Sequence, residues 1–390
     1  MDPEPEVLAD WVSRLVQIPS VNPLQRGPNC REPGETAMAV ALAEHLERFG
    51  AVDIELDEVL DGRPNVYAFV RGHTDRLVVL DAHTDTVTVE NMTDPPFDGR
   101  IEDGRVWGRG ALDTKASLGV MLALLESWQR DGLRPDPTLL VVGTIGEEAG
   151  GLLGATRFQA RVAQRGIAID QMVVCEPTNC APVHGHKGAI GLRITVVGQS
   201  AHSSMPELGR NAIVGAAHIV LALEQHHREL IATPATTPVG TGTLLTSIIS
   251  GGIANNVVPD RCVLQVGRRI APYEDPAVEF DRIAQIARAA CPLPIEVESL
   301  LPVAPGQPPG SPAFYQSPEC ELVRVFATAA GTQPACAPFG TNALRYGTMA
   351  REMIVFGPGS IDDAHKPTEC VAIADLQRVA AAYTDWLRPH

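Results

Sequence analysis

The sequence predicts an α/β protein built on a largely parallel sheet, interrupted by an inserted α+β unit of ferredoxin-like order. Three observations predict it. Short runs rich in Val, Ile and Leu alternate with amphipathic segments, as strands and helices do around a parallel sheet. Between about residues 189 and 300 the order changes to strand, helix, strand, strand, helix, strand, the ferredoxin-like unit. The chain has 390 residues, of which 45% are apolar, enough for two domains with buried cores.

An amphipathic helix is expected over residues 6–17, with Val7, Leu8, Trp11, Leu15 and Val16 on one side and Pro19 ending it. A second helix, 36–49, stops at Gly50. Four apolar runs read as buried strands: 77–80, 138–142, 172–175 and 353–356. A long apolar helix is expected over 114–129. In the inserted unit, strands are expected at 189–198, 243–249, 257–270 and 294–300, with helices at 210–230 and 275–290. The Pro-rich stretch 302–312 carries the chain back, and 372–387 forms a closing helix.

There are 31 basic and 47 acidic residues, a net charge of −16. Such a surface argues against nucleic acid and anionic membranes as partners. No run of about 18 apolar residues suggests a membrane span. The first residues lack the basic and apolar regions of a signal peptide. Eight cysteines without Cys-x-x-Cys pairs fit reduced thiols, so a cytoplasmic protein is expected.

Ligand-type residues follow the predicted strands. Asp81-Ala82-His83-Thr84-Asp85 ends the first, and Asp85 is placed to fix the tautomer of a metal-binding His83. Asp113 follows Gly108 and Gly110 and precedes the long helix. Read alone, it is equally a helix N-cap. Glu147 and Glu148 stand side by side after the 138–142 strand, where neighbouring carboxylates repel unless a cation compensates. Glu176 ends the 172–175 strand, and His365 lies in the Gly/Pro-rich loop after the last. Each residue also reads as an ordinary loop side chain; their joint occurrence at the strand ends of one sheet, where such folds bind ligands, points to a site. Two His and three carboxylates suit zinc, with cobalt or manganese as substitutes.

These segments, in this order, resemble the acetylornithine deacetylase, succinyl-diaminopimelate desuccinylase and aminoacylase family of two-zinc metallopeptidases. The resemblance runs from Ile18-Pro19-Ser20-Val21-Asn22-Pro23 to His365. It implies a zinc-exopeptidase-like catalytic domain over residues 1–187 and 299–390, and a lid and dimerisation domain over 188–298. It implies two zinc ions, with Asp113 bridging, His83 and Glu176 completing one site, and Glu148 and His365 the other. Glu147 matches the catalytic carboxylate and Asp85 the residue that orients His83. His202, in Gly198-Gln199-Ser200-Ala201-His202, matches a catalytic histidine that reaches the active site of a neighbouring subunit in a homodimer. Asn256, Arg269 and the Gly340-Thr341-Asn342 segment match substrate-binding positions. Two departures stand out: Gly267 where the family often has Asp, and Asn342 where the acetylornithine deacetylase branch typically has an acid.

The resemblance therefore implies a metal-dependent hydrolase that removes an acyl group from an N-acyl amino acid by attack of metal-activated water. Carboxypeptidase or dipeptidase action on a short peptide, or desuccinylation, uses the same site. A non-catalytic binding homologue is the remaining alternative, and it is expected to have lost Glu147 or a ligand.

Overall fold

The computed structural model describes residues 3–28, 30, 34–300 and 309–390. The chain separates into two compact units, one of Met1–His184, Gln316–Ala335 and Thr341–His390, the other of Gly185–Tyr315 with Cys336–Gly340. The inserted unit was expected over 188–298; of the return segment 302–312, residues up to 308 lie outside the described ones.

The first unit is organised by six strands in the order Val52–Leu60, Arg63–Val70, Pro137–Thr144, Thr74–His83, Ile169–Val174, Ala350–Val355. The last four are parallel to one another, and the first two form an antiparallel hairpin on one side. The parallel strands are apolar because helices cover them. Val78, Leu80, Leu139, Val141, Val173 and Ile354 are buried in one core with residues of the helices Pro5–Val16, Lys115–Asp131, Glu321–Ala330 and Ile373–Leu387. Helix 115–131 is apolar nearly all round, as expected of a helix packed on several sides. It starts one residue later than the sequence suggests, at Lys115, and no side chain caps it. Asp113 therefore is not its cap.

The second unit has the expected order: strand Gly188–Val197, helix Ala212–Ala232, strands Thr243–Gly251 and Arg261–Ile270, helix Pro276–Ala290, strand Ile295–Ser299. Its antiparallel sheet runs 243–251, 261–270, 188–197, 295–299. Alternate residues Ile190, Leu192, Ile194 and Val196 face the two helices. Asn211 and Asp275 cap those helices, each accepting two backbone N–H bonds of the first turn. The third strand begins at Arg261 rather than 257, because Pro259 has no N–H for the ladder. Among the described residues no helix is long and apolar enough to cross a membrane.

Candidate metal centre

Four adjacent parallel strands deliver the chemistry at their carboxyl ends. His83 is the last residue of its strand. Glu147 and Glu148 follow strand 137–144 by way of Gly146, whose φ of +70° suits glycine. Glu176 follows strand 169–174, and His365 lies beyond strand 350–355 with φ +63°. Asp113 arrives from the loop ahead of helix 115–131. Residues distant in sequence thus converge because the sheet is parallel and its strand ends are aligned.

The two carboxylate oxygens of Asp113 face different histidines. Oδ1 is 3.0 Å from His83 Nε2, and Oδ2 is 3.2 Å from His365 Nε2. Glu148 lies 3.0 Å from His365 Nε2 through Oε2, and Glu176 Oε1 lies 4.0 Å from His83 Nε2. Among the described residues, two groups have candidate ligand atoms all within 4.8 Å of one another: His83, Asp113 and Glu148, and His83, Glu147 and Glu176. Glu147 therefore stands inside the same cluster as the expected ligands.

Burial and mutual repulsion govern the charges. Burial pushes the Glu147 carboxyl up to about 8, assisted by Glu148, Asp85 and Asp113 and opposed by His83. Burial likewise raises Glu148 to about 7, with Asp113 adding to it, and raises Glu176 well above the carboxylate range. Burial also acts on Asp113, but hydrogen bonds from His365 and His83 outweigh it and hold the group below its ordinary value. Bonds to Asp113 and Glu148 raise His365 to about 10. Protons and imidazolium rings are the compensation that a pair of dications would replace. Five ligand-type residues with hard and borderline donor atoms, crowded and short of positive charge, fit such a pair.

Around this cluster several residues differ from expectation. Asp85 was expected to orient His83 by its carboxylate. Instead His83 Nδ1 is 2.8 Å from the main-chain oxygen of Asp85, with the carboxylate 3.7 Å away. The carboxylate accepts the backbone N–H groups of Glu147 and Glu148, each at 3.1 Å, and so sets the Glu147–Glu148 turn. Asn22, within the Ile18–Pro23 segment, donates to that carboxylate at 2.8 Å and to Ala149 O at 2.9 Å. Asn342, expected to contact substrate, is 2% exposed, and its amide donates inward to Asp81 at 3.1 Å and Thr144 at 2.9 Å. Its side chain braces the interior; Thr341 beside it is also buried. The signal that sequence reading missed is Asp81, a buried acid two residues before His83 that needs a donor.

His202, Asn256, Arg269 and Gly340 belong to the second unit. There His202 bridges to Val257 and Ser203 N–H donates to Asn256 O at 3.0 Å, so the two segments lie together. Ser204 N–H donates to His202 Nδ1 at 3.2 Å. Arg269 lies opposite Ala189 and Thr243 on the sheet and is exposed.

Comparison with known proteins agrees with this architecture. Residues 79–388 match the model of peptidase family M20/M25/M40. An acetylornithine deacetylase from Myxococcus xanthus is 30% identical over 313 residues, covering 78% of this chain and 77% of that one. An M20 family metallo-carboxypeptidase from Sulfolobus solfataricus shares the fold with a TM-score of 0.74 at 18% identity, over 98% of each chain. A dinuclear metal-binding M20 peptidase from Bacillus subtilis superposes with a TM-score of 0.66 at 14% identity, over 98% of this chain and 96% of that one. With the predicted sheet and inserted unit both present, the chain belongs to peptidase family M20/M25/M40, metal-dependent hydrolases of amide and peptide bonds.

Proposed function

We propose that the protein removes the acyl group from an N-acyl amino acid, using two zinc ions for which cobalt or manganese can substitute. The observation that carries this is the placement of Asp113 between His83 and His365, one carboxylate oxygen toward each. In this reading His83 and Glu176 hold one ion, Glu148 and His365 the other, and Asp113 both. Bound ions supply Lewis acidity, polarising the amide carbonyl and lowering the pKa of water to about 7.

The protein's own groups do the rest. Glu147, placed inside the ligand cluster, takes a proton from the attacking water and passes it to the departing amine. With Nδ1 of His202 accepting from Ser204 N–H, the neutral ring carries its proton on Nε2, free to stabilise an oxyanion. We assign that role to His202 of a partner subunit. Asn256, Arg269 and the Gly340 backbone hold the substrate, with the Arg269 guanidinium pairing with the substrate's carboxylate. The exposed edge strand 243–251, with Leu245, Ile248 and Ile249 at the surface, supports a homodimer through the second unit. Eight cysteines without Cys-x-x-Cys pairs are consistent with a cytoplasmic setting.

A second reading is cleavage of dipeptides or of a C-terminal residue, which the printed name of a 27% identical relative, a probable carboxypeptidase from Aspergillus clavatus, favours. Within the first reading, one observation speaks against acyl amino acids with a cationic side chain. Asn342 offers no charge to a cationic side chain and its amide is spent on Asp81 and Thr144. Activity of the zinc- and cobalt-loaded protein is to be measured on N-acetyl and N-succinyl amino acids and on dipeptides. Turnover of acyl amino acids at least tenfold above dipeptides is expected; the reverse order replaces the deacylase reading by the peptidase one. Mixing His202→Ala with Asp113→Ala protein restores activity if His202 acts across subunits, and no recovery removes that arrangement.

A further inference from the structure

We infer that Glu369, Arg109 and Asn91 form a clamp that sets the distance between the Asp113 loop and the His365 loop. The inference rests on the proposed two-metal reading and adds three positioning residues to it.

Glu369 lies just beyond His365, immediately ahead of the short strand Cys370–Ala372, which pairs with Arg105–Trp107. Its side chain is 1% exposed. One oxygen, Oε1, accepts three backbone N–H groups from the loop that carries Asp113: Gly110 at 2.9 Å, Leu112 at 3.1 Å and Asp113 itself at 3.2 Å. The other oxygen pairs with the guanidinium of Arg109, also 1% exposed. Arg109 donates onward to Thr88 O at 3.1 Å and to Asn91 Oδ1 at 3.1 Å. Asn91 then donates from Nδ2 to the main-chain oxygen of His365 at 2.9 Å.

The chain of bonds therefore starts at the backbone N–H of one ligand and ends at the backbone oxygen of another. A carboxylate that accepts three N–H groups and a guanidinium is saturated with partners, and such charge-assisted bonds hold geometry tightly. His365 needs the restraint. Its side chain is 48% exposed, and its backbone has φ +63°, a region that residues other than glycine rarely hold without support. The burial of Arg109 and Glu369 is costly unless the pair is fully satisfied, and each donor and acceptor described here goes to a ligand-bearing loop or to its neighbour.

The clamp makes an asymmetric prediction. Asn91 is bonded directly to the His365 backbone and reaches the Asp113 branch only through Arg109, which keeps its bonds to Glu369 and Thr88 without it. Asn91 is exposed, so Asn91→Ala leaves the fold intact. Glu369 touches the Asp113 branch, which both ions share. Zinc titration of the chelator-stripped protein against a competing dye resolves the two affinities. Asn91→Ala is expected to weaken one of the two by about 10- to 100-fold, the usual effect of losing a residue that orients a ligand, and to leave the other within twofold. Glu369→Gln is expected to weaken both, and Asn91→Gln, which keeps the amide, to recover part of the loss seen in Asn91→Ala. Unchanged affinities in Asn91→Ala, or equal weakening of both, overturn the clamp even if Glu369→Gln fails to fold. Wild-type protein that binds fewer than two zinc ions overturns the two-metal reading itself, and the clamp with it.

Discussion

Glu147 is the residue whose role separates chemistry from binding. It sits among the candidate ligands, buried and crowded by the carboxylates of Glu148, Asp85 and Asp113, which push its own carboxyl upward until a cation compensates. Glu147→Ala is expected to keep its zinc, measured by elemental analysis, and to lose about 10²- to 10⁴-fold in kcat, the range for a general acid–base group. A variant that loses zinc instead would make Glu147 a ligand. The candidate ligands were legible only together: singly each also reads as an ordinary loop residue, and it is their recurrence after the apolar runs of one sheet that makes the charges conspicuous. Asn342 was read as touching substrate because its segment matches a substrate-binding position of the resembled family; only the fold reveals buried Asp81 against it. Glu369 and Arg109 lie 260 residues apart, and nothing local marks either as one half of a buried pair.

Elements followed their local signals where those signals had a steric cause. Gly50 and Gly132, at φ +85° and +71°, stand just past the ends of helices 36–48 and 115–131, in a backbone region other residues avoid. Strand 74–83 outruns its apolar run 77–80 because Thr74, Asp75 and Arg76 extend it into solvent, where composition carries no strand signature. Close packing is less visible than either. At Gly119, inside helix 115–131, an added Cβ would stand 2.8 Å from Val12 Cγ2 and 3.0 Å from Val12 N on helix 5–16. Alanine in place of glycine adds about 1 kcal/mol of helix propensity, while overpacking costs about 1–3 kcal/mol when the neighbour cannot yield. Val12 N is backbone and cannot rotate away, so Gly119→Ala is expected to destabilise the protein in urea unfolding. A rise in stability would mean that helix 5–16 shifts freely over helix 115–131.

At the scale of the whole molecule the two units respond to acid through different groups, and one of them can be isolated. His186 in the second unit is fully buried, and burial, with Arg269 contributing, lowers its pKa to about 4 from 6.5. The ring is therefore neutral in the folded protein across a range where the unfolded chain binds a proton. Because the unfolded state takes up more protons, stability falls as pH drops below about 6.5 and the loss is complete near the folded value of about 4. A shift of that size corresponds to about 3 kcal/mol. The metal centre also titrates in acid, since protons compete with metal for its ligands; chelator-stripped protein removes that competition but leaves the ligands' own protonation. The comparison is thus between stripped wild type and stripped His186→Gln, whose shared metal-centre response cancels. Urea unfolding at pH 7.0, 5.5 and 4.5 is expected to give a shallower pH slope for the variant, even if its stability at pH 7.0 is lower. Parallel slopes would show that the ring is protonated without cost in the folded unit, and the acid sensitivity of the molecule would then lie in the carboxylates and imidazoles of the first unit alone.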